Sequence, residues 1–233
     1  LARRVKEKEK VKVKNATAGK KVRAARKRKH SQLKSGQKDI AGLASFFKAA
    51  IQLKSVNRAG WIEKAGVTTP ESVADHTFSM CTAAMVLADM AGLDTEKTLK
   101  MAILHDMAES LTGDYMPEEL RGPDKLAIEH RAMKAILSGL APAIRSQYEK
   151  IWQEYVANRT PVARLVHAID KFEMAMQAAQ YARQDYAAKL LWQFFNSAKK
   201  AISSAGKNGR VGQETLDRLL IDILDQHFKV EYR

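Results

Sequence analysis

The stretch Met101-Ala102-Ile103-Leu104-His105-Asp106-Met107-Ala108-Glu109 decides how this chain is read. It is largely apolar, which predicts a helix buried around most of its circumference. Into that setting it puts an adjacent His105 and Asp106, with Glu109 four residues after the histidine, one turn on along the same face. A carboxylate buried without a partner costs several kcal/mol, so positive charge must stand nearby. Either a basic side chain or a metal ion supplies it.

The same anomaly occurs twice more. His76 opens a helical stretch, in Glu71-Ser72-Val73-Ala74-Asp75-His76, and Asp170 lies inside the apolar run Leu165 to Met176, beside Ile169. A lone inward histidine is usually a hydrogen-bonded core residue. Two imidazoles and two carboxylates from three helices are a different matter, because together they can make an octahedral divalent site with positions left for water. Imidazole with carboxylate suits Mn, Co, Fe, Ni or Zn better than Ca, and the residues do not choose among them.

Outward from these positions the pattern is helical from Asp39 onward. Ile40, Leu43, Phe47 and Ile51 recur at three- and four-residue steps and define a first amphipathic helix. Ser55 to Pro70, with two glycines and a proline, reads as a loop. A second helix carries His76, Met80, Ala83, Leu87 and Met90 on one side and stops at Gly92; a third runs from near Thr95 through Leu111 to Gly113. Pro123 to Leu137 and Pro142 to Val156 follow, the latter with Ile144, Tyr148, Ile151, Trp152 and Tyr155 inward. Thr160-Pro161 is a cap-and-start signal for a helix through Leu165, Ile169, Phe172 and Met176, and 184–202 and 213–229 read as two more. With no sustained period-two alternation, the expected fold is all-α.

Charge divides the chain. Residues 1–38 hold 16 of the 40 Lys and Arg and two of the 26 acids, Glu7 and Glu9, so they carry the entire net charge of +14 and leave 24 of each sign on the remainder. Such a segment cannot bury enough surface to offset its ordering entropy; it is expected to be a polycationic arm, disordered unless bound, before a domain over 39–233. Arg23, Arg26, Lys27, Arg28 and Lys29 are its expected RNA-binding residues, with folded RNA favoured over DNA because the arm has no groove-reading module. A nuclear-import patch is the plainer reading of the same run. The chain of 233 residues has one cysteine, Cys81, which excludes a disulfide framework and suits a reducing compartment. No run of 18 apolar residues and no secretory h-region is visible. The acid-poor arm, in a sequence that starts at Leu1, leans towards the mitochondrion, with cytoplasm or nucleus as alternatives.

The ordered set His76, His105-Asp106 and Asp170 resembles the H…HD…D signature of the HD-domain metal-dependent phosphohydrolases. Leu53-Lys54-Ser55-Val56-Asn57-Arg58-Ala59-Gly60-Trp61, Pro70 to His76, His105 to Glu109, Thr112-Gly113-Asp114 and Ile169-Asp170-Lys171-Phe172-Glu173-Met174 look like the 5′-deoxynucleotidase branch. The resemblance covers about residues 43–200 and leaves the arm outside. It implies an HD-domain bundle of about six to eight helices, with His76, His105, Asp106 and Asp170 as ligands of one divalent transition metal. It makes Glu109 and Asp106 catalytic, Glu109 by orienting water or passing a proton to the leaving 5′ oxygen. It places Arg58 on the substrate phosphate, Asp114 towards the sugar and Trp61 on the nucleotide pocket wall. Each has a plainer reading: Arg58 as a partner for a carboxylate, Asp114 as a turn or N-cap residue, Trp61 as core. The implied reaction takes a deoxynucleoside 5′-monophosphate to deoxynucleoside and phosphate. A second reading is an HD domain recruited into a ribonucleoprotein, such as a mitochondrial ribosome or its assembly intermediate, through the arm. The resemblance leaves a homodimer open.

Overall fold

In the computed structural model the described residues are 40–115, 123–206 and 218–226. The arm, including Arg23, Arg26, Lys27, Arg28 and Lys29, lies outside them. Helices α1 (40–52), α2 (Ala59–Ala65), α3 (Val73–Ala91), α4 (Thr95–Leu104), α5 (Glu109–Thr112), α6 (Pro123–Leu137), α7 (Pro142–Ala157), α8 (Pro161–Ala182), α9 (Ala188–Gly206) and α10 (218–226) follow one another. Among the described residues the only β pairing is one isolated antiparallel bridge, Asn57 to Ser72. The fold is all-α, as expected, and no described helix is long and apolar enough to cross a membrane.

α8 is the axis of the bundle and packs against α3, α4, α7 and α9. Thr160 caps its start, accepting from Ala163 N–H at 3.2 Å, with Pro161 in the first turn. Leu165, Val166, Ile169, Ala175 and Ala179 are buried along it, and among them so are Asp170 and Glu173. α3 starts with a capping box between Ser72 and Asp75 and ends at Gly92, whose φ of 63° is the left-handed conformation glycine adopts without a Cβ penalty.

Several sequence expectations give way. Ser55 to Pro70 is not a loop throughout: it contains α2, capped by Gly66 at φ 66°. Trp61 and Ala65, buried at a four-residue spacing, supply the apolar face that holds so short a helix. The expected single helix from Thr95 to Gly113 breaks after Leu104, and α5 starts only at Glu109. Through the break the backbone tightens to i→i+3 bonds, with Glu109 N–H on the Asp106 carbonyl (3.0 Å) and Ser110 N–H on that of Met107 (3.2 Å). In α1 the periodic residues Ile40, Leu43, Phe47 and Ile51 are 43–69% exposed, while Ala49 and the following Leu53 turn inward. Contact between backbones chooses that face: a Cβ on Gly42 would lie 1.9 Å from the Gly139 carbonyl oxygen in the α6–α7 turn. In α7 and α3, Ile144 and Met90 are exposed rather than inward; Ile151 and Trp152 carry the buried side of α7.

Candidate active site

Two short pairings bring the sequence-remote segments together. Arg58 N–H donates to the Glu71 carbonyl (3.1 Å) and Val73 N–H to that of Val56 (2.8 Å), which sets Arg58 beside the start of α3. Asp114, just past α5, accepts from Ala59 N–H at 2.8 Å and ties the end of the His105–Glu109 segment to α2. Arg58 thus stands at the meeting of three elements, with Nη1 3.0 Å from Asp106 Oδ2, Nη2 3.9 Å from Asp170 Oδ1 and Nε 3.9 Å from Asp114 Oδ2.

His76, His105 and Asp170 present ligand atoms within 4.8 Å of one another, all from buried residues. Asp106 joins them through His105, its Oδ2 lying 2.9 Å from His105 Nε2. His105 Nδ1 is 2.7 Å from the Ala102 carbonyl, which can only accept, so the proton sits on Nδ1 and Nε2 keeps its lone pair. That carbonyl is available because the helix breaks there. The Nε2 atoms of His76 and His105 are buried and without a hydrogen-bond partner. His76 Nε2 is 3.4 Å from Asp170 Oδ1. Buried nitrogen lone pairs aimed among carboxylate oxygens are satisfied by a cation, and two imidazoles with two aspartates are a donor set of the right chemistry for a divalent transition metal. The residues fit such an ion.

The electrostatics follow from burial and crowding. Burial opposes charge on Arg58, yet Asp106, Asp114, Asp170 and Glu109 outweigh it and raise the guanidinium further. Burial likewise opposes Asp106 and Asp170, but His105 and Arg58 hold the first, and Lys171, His76 and Arg58 the second, below the ordinary aspartate range. Glu109 goes the other way. Burial, followed by the charges of Asp106 and Asp114, pushes it well above an ordinary glutamate, and its Oε2 has no hydrogen-bond partner. Asp114 is raised chiefly by burial.

These groups open onto a cavity of about 650 Å³. Arg58, His105, Asp106, Glu109, Asp114 and Asp170 line it. Trp61 does two things at once: it lines the cavity, yet it is 1% exposed, packs on Phe194 with centroids 4.1 Å apart and donates Nε1–H to Glu71 at 2.9 Å. Cys81 is half-buried on α3, and burial raises its thiol to about 11.

Three participants had no role in the sequence reading. Glu173 Oε2 lies 2.5 Å from His76 Nδ1, Lys171 Nζ lies 2.9 Å from Asp170 Oδ2 and lines the cavity, and Glu71 holds Trp61. Glu173 carried a usable signal, a second carboxylate in an apolar run, three residues after Asp170 on the same face.

A buried helical bundle with histidines and aspartates converging on a cation-sized space defines a class, and comparison with known proteins identifies it. The family model described as HD domain matches residues 50–208, and the chain belongs to that family; it is an HD-domain phosphohydrolase. Among its relatives, 5′-deoxynucleotidase HDDC2 of Dictyostelium discoideum is 36% identical over 171 residues, spanning 69% of this chain and 90% of the relative. The human 5′-deoxynucleotidase HDDC2 is 34% identical, spanning 66% and 76%. The solved PH0347 protein of Pyrococcus horikoshii superposes with a TM-score of 0.60 at 32% identity, over 79% of this chain and 97% of that one. A cyanophage S-2L HD phosphohydrolase, DatZ, solved with dA and one catalytic Zn2+, shares the fold at a TM-score of 0.51 and 15% identity, over 76% and 95%.

Proposed function

We propose that this chain hydrolyses deoxynucleoside 5′-monophosphates to deoxynucleoside and inorganic phosphate. The observation that carries the reading is the convergence of His76, His105 and Asp170 within 4.8 Å, with Arg58 and Asp106 alongside, against a cavity of about 650 Å³ that all of these but His76 line. The names of its relatives, 5′-deoxynucleotidases in animals, yeasts and an amoeba, support it.

In this reading His76, His105, Asp106 and Asp170 hold one divalent ion, which when bound lowers the pKa of water and polarises a phosphoryl oxygen. The chain's own groups do the rest. Arg58, whose charge is secured by Asp106, Asp114 and Asp170 around it, binds the phosphate and offsets charge as it builds on the equatorial oxygens. Lys171, on the cavity wall, adds a second cation on the same side. Water attacks phosphorus, the bond to the 5′ oxygen breaks, and that oxygen needs a proton as it leaves. Glu109, whose hold on a proton is strengthened first by burial and then by Asp106 and Asp114, gives it and takes one back from the attacking water. Asp114, fixed by Ala59 N–H, faces the sugar, where a carboxylate in a tight space disfavours an added 2′-hydroxyl, and Trp61 closes the wall.

The full chain, stripped with chelator and reloaded with Mn2+ or Co2+, is expected to release phosphate from deoxynucleoside 5′-monophosphates, and Asp106→Ala to abolish release. Absence of release with every divalent ion tried would remove the proposal.

A further inference from the structure

His76 is fully enclosed, 0% exposed, and stands between two carboxylates that approach its two ring nitrogens from opposite sides. Asp170 Oδ1 is 3.4 Å from Nε2, and Glu173 Oε2 is 2.5 Å from Nδ1. Both carboxylates come from α8, three residues apart, so one helical face grips the ring at both edges. Asp170 lines the cavity; Glu173 is 6% exposed, sits behind the ring and is absent from the cavity wall.

Glu71, His76 and Glu173 also bring ligand atoms within 4.8 Å of one another, so a second cation behind His76 has to be weighed. It would require His76 to give up both nitrogen lone pairs at once, which a neutral imidazole cannot do, since one nitrogen carries the proton. Glu71 moreover already accepts from Trp61 Nε1–H at 2.9 Å. The neighbouring histidine shows the alternative. The Ala102 carbonyl takes the Nδ1 proton of His105 and leaves Nε2 as the free donor atom. Glu173 stands to His76 as that carbonyl stands to His105. A carboxylate does the job more strongly, because its charge raises the basicity of the opposite nitrogen.

Resting on the metal-site reading above, we infer that Glu173 is a positioning residue: it accepts the Nδ1 proton of His76, fixing the ring's tautomer and rotation so that the Nε2 lone pair faces the space shared with His105 and Asp170. Glu173 touches neither substrate nor ion. Its removal leaves His76 in place by packing but free to turn or to carry its proton on Nε2, and the ion then loses one properly aimed ligand.

The test reads ligand geometry and ion affinity rather than turnover. Zn2+ and Mn2+ affinities of the full chain are measured by competition with a chromophoric chelator. Glu173→Ala is expected to weaken binding by about tenfold to a hundredfold. Glu173→Gln keeps a side-chain carbonyl that accepts from Nδ1–H, and is expected to recover all but a few-fold of the loss. In parallel, the chain with 15N-labelled histidine and Zn2+ bound is expected to show the His76 proton on Nδ1. Wild-type affinity in Glu173→Ala, or the proton on Nε2, overturns the inference; equal loss in the Ala and Gln variants marks Glu173 as merely structural and also overturns it. If the unsubstituted chain binds no divalent ion, the metal-site reading is what fails. The metal-free protein, taken to a pH at which its own 15N signals show the His76 ring to be neutral, still reports which ring nitrogen holds the proton, and Nδ1 is the expected answer.

Discussion

Asp106 Oδ2 is shared: Arg58 Nη1 lies 3.0 Å from it on one side and His105 Nε2 2.9 Å on the other. One carboxylate oxygen therefore couples the group assigned to the substrate phosphate with the group assigned to the metal. Among the described residues Arg58 pairs with Asp106, Asp114 and Asp170, and Lys171 with Asp170, along this cavity.

Removing Arg58 should accordingly act on stability as well as on turnover. Arg58→Leu leaves buried carboxylates short of a counter-charge, a loss on the order of 3–5 kcal/mol. Mn2+ should return part of it, because the ion supplies the missing charge. Thermal melts of wild type and variant with chelator and with Mn2+ check this: the expected gap is wide in chelator and narrower in Mn2+. Arg58→Lys keeps the charge but loses the planar fork, and should retain most of the stability while losing at least about tenfold in phosphate release. A gap unchanged by the ion would separate Arg58 from the metal site.

Glu109 should show its role in the pH profile. Its carboxyl is raised well above 4.5, first by burial and then by Asp106 and Asp114, and a proton donor works only while protonated. Activity should therefore fall as pH rises through that raised pKa. Glu109→Gln should lower kcat by about a hundredfold to ten-thousandfold, abolish the alkaline limb and leave Mn2+ affinity within a few-fold. If the limb persists in the variant, another group carries the proton.

Much of this site was legible because burial of charge is anomalous wherever it occurs. His105, Asp106 and Asp170 each broke an apolar run and His76 opened a helix; the structure brings His76, His105 and Asp170 within 4.8 Å of one another, with Asp106 against His105 and Arg58. What stayed hidden depended on packing that local pattern does not encode. The helix break after Leu104 has no glycine or proline to announce it; it shows only in the tightened bonds and in His105 Nδ1 taking up the Ala102 carbonyl. α2 hides because seven residues offer too short a period to read, and its two buried members, Trp61 and Ala65, look unalike. α1 has a perfect apolar stripe that turns outward, because two glycines far apart in sequence let backbones touch on the opposite side. The expected arm over residues 1–38 lies outside the described residues. The family match begins at residue 50 and says nothing of it.

That glycine contact gives a stability prediction away from the chemistry. A Cβ at Gly42 would lie 1.9 Å from the Gly139 oxygen, and one at Gly139 would lie 2.3 Å from Gly42 Cα; all the obstructing atoms are backbone. Gly42→Ala must push α1 off the α6–α7 turn, although alanine is otherwise the better helix former by about 1 kcal/mol. The expected net effect is a loss of about 1–3 kcal/mol in denaturant unfolding, with metal affinity unchanged. Stabilisation by the alanine would show that the two backbones do not meet.

Glu71 gives a pH-linked stability prediction whose sign is fixed. Burial, then the nearby Glu173, raises its pKa from 4.5 to about 7 in the folded chain. Below about pH 4.5 both folded and unfolded states hold the proton and Glu71 contributes no difference. Between about pH 4.5 and 7 the folded state keeps a proton that the unfolded state has released, so its contribution to stability falls as pH rises. Above about pH 7 both states are ionised and the penalty is constant, at most about 3 kcal/mol for a shift of this size. Glu71→Gln is neutral throughout and keeps an acceptor for Trp61 Nε1–H. With chelator present, the Tm of Glu71→Gln minus that of wild type should climb from pH 4.5 to pH 7 and then level off. A difference that stays flat across this window would mean that Glu71 is solvated well enough to ionise normally, and that Trp61 is held by a charged rather than a neutral partner.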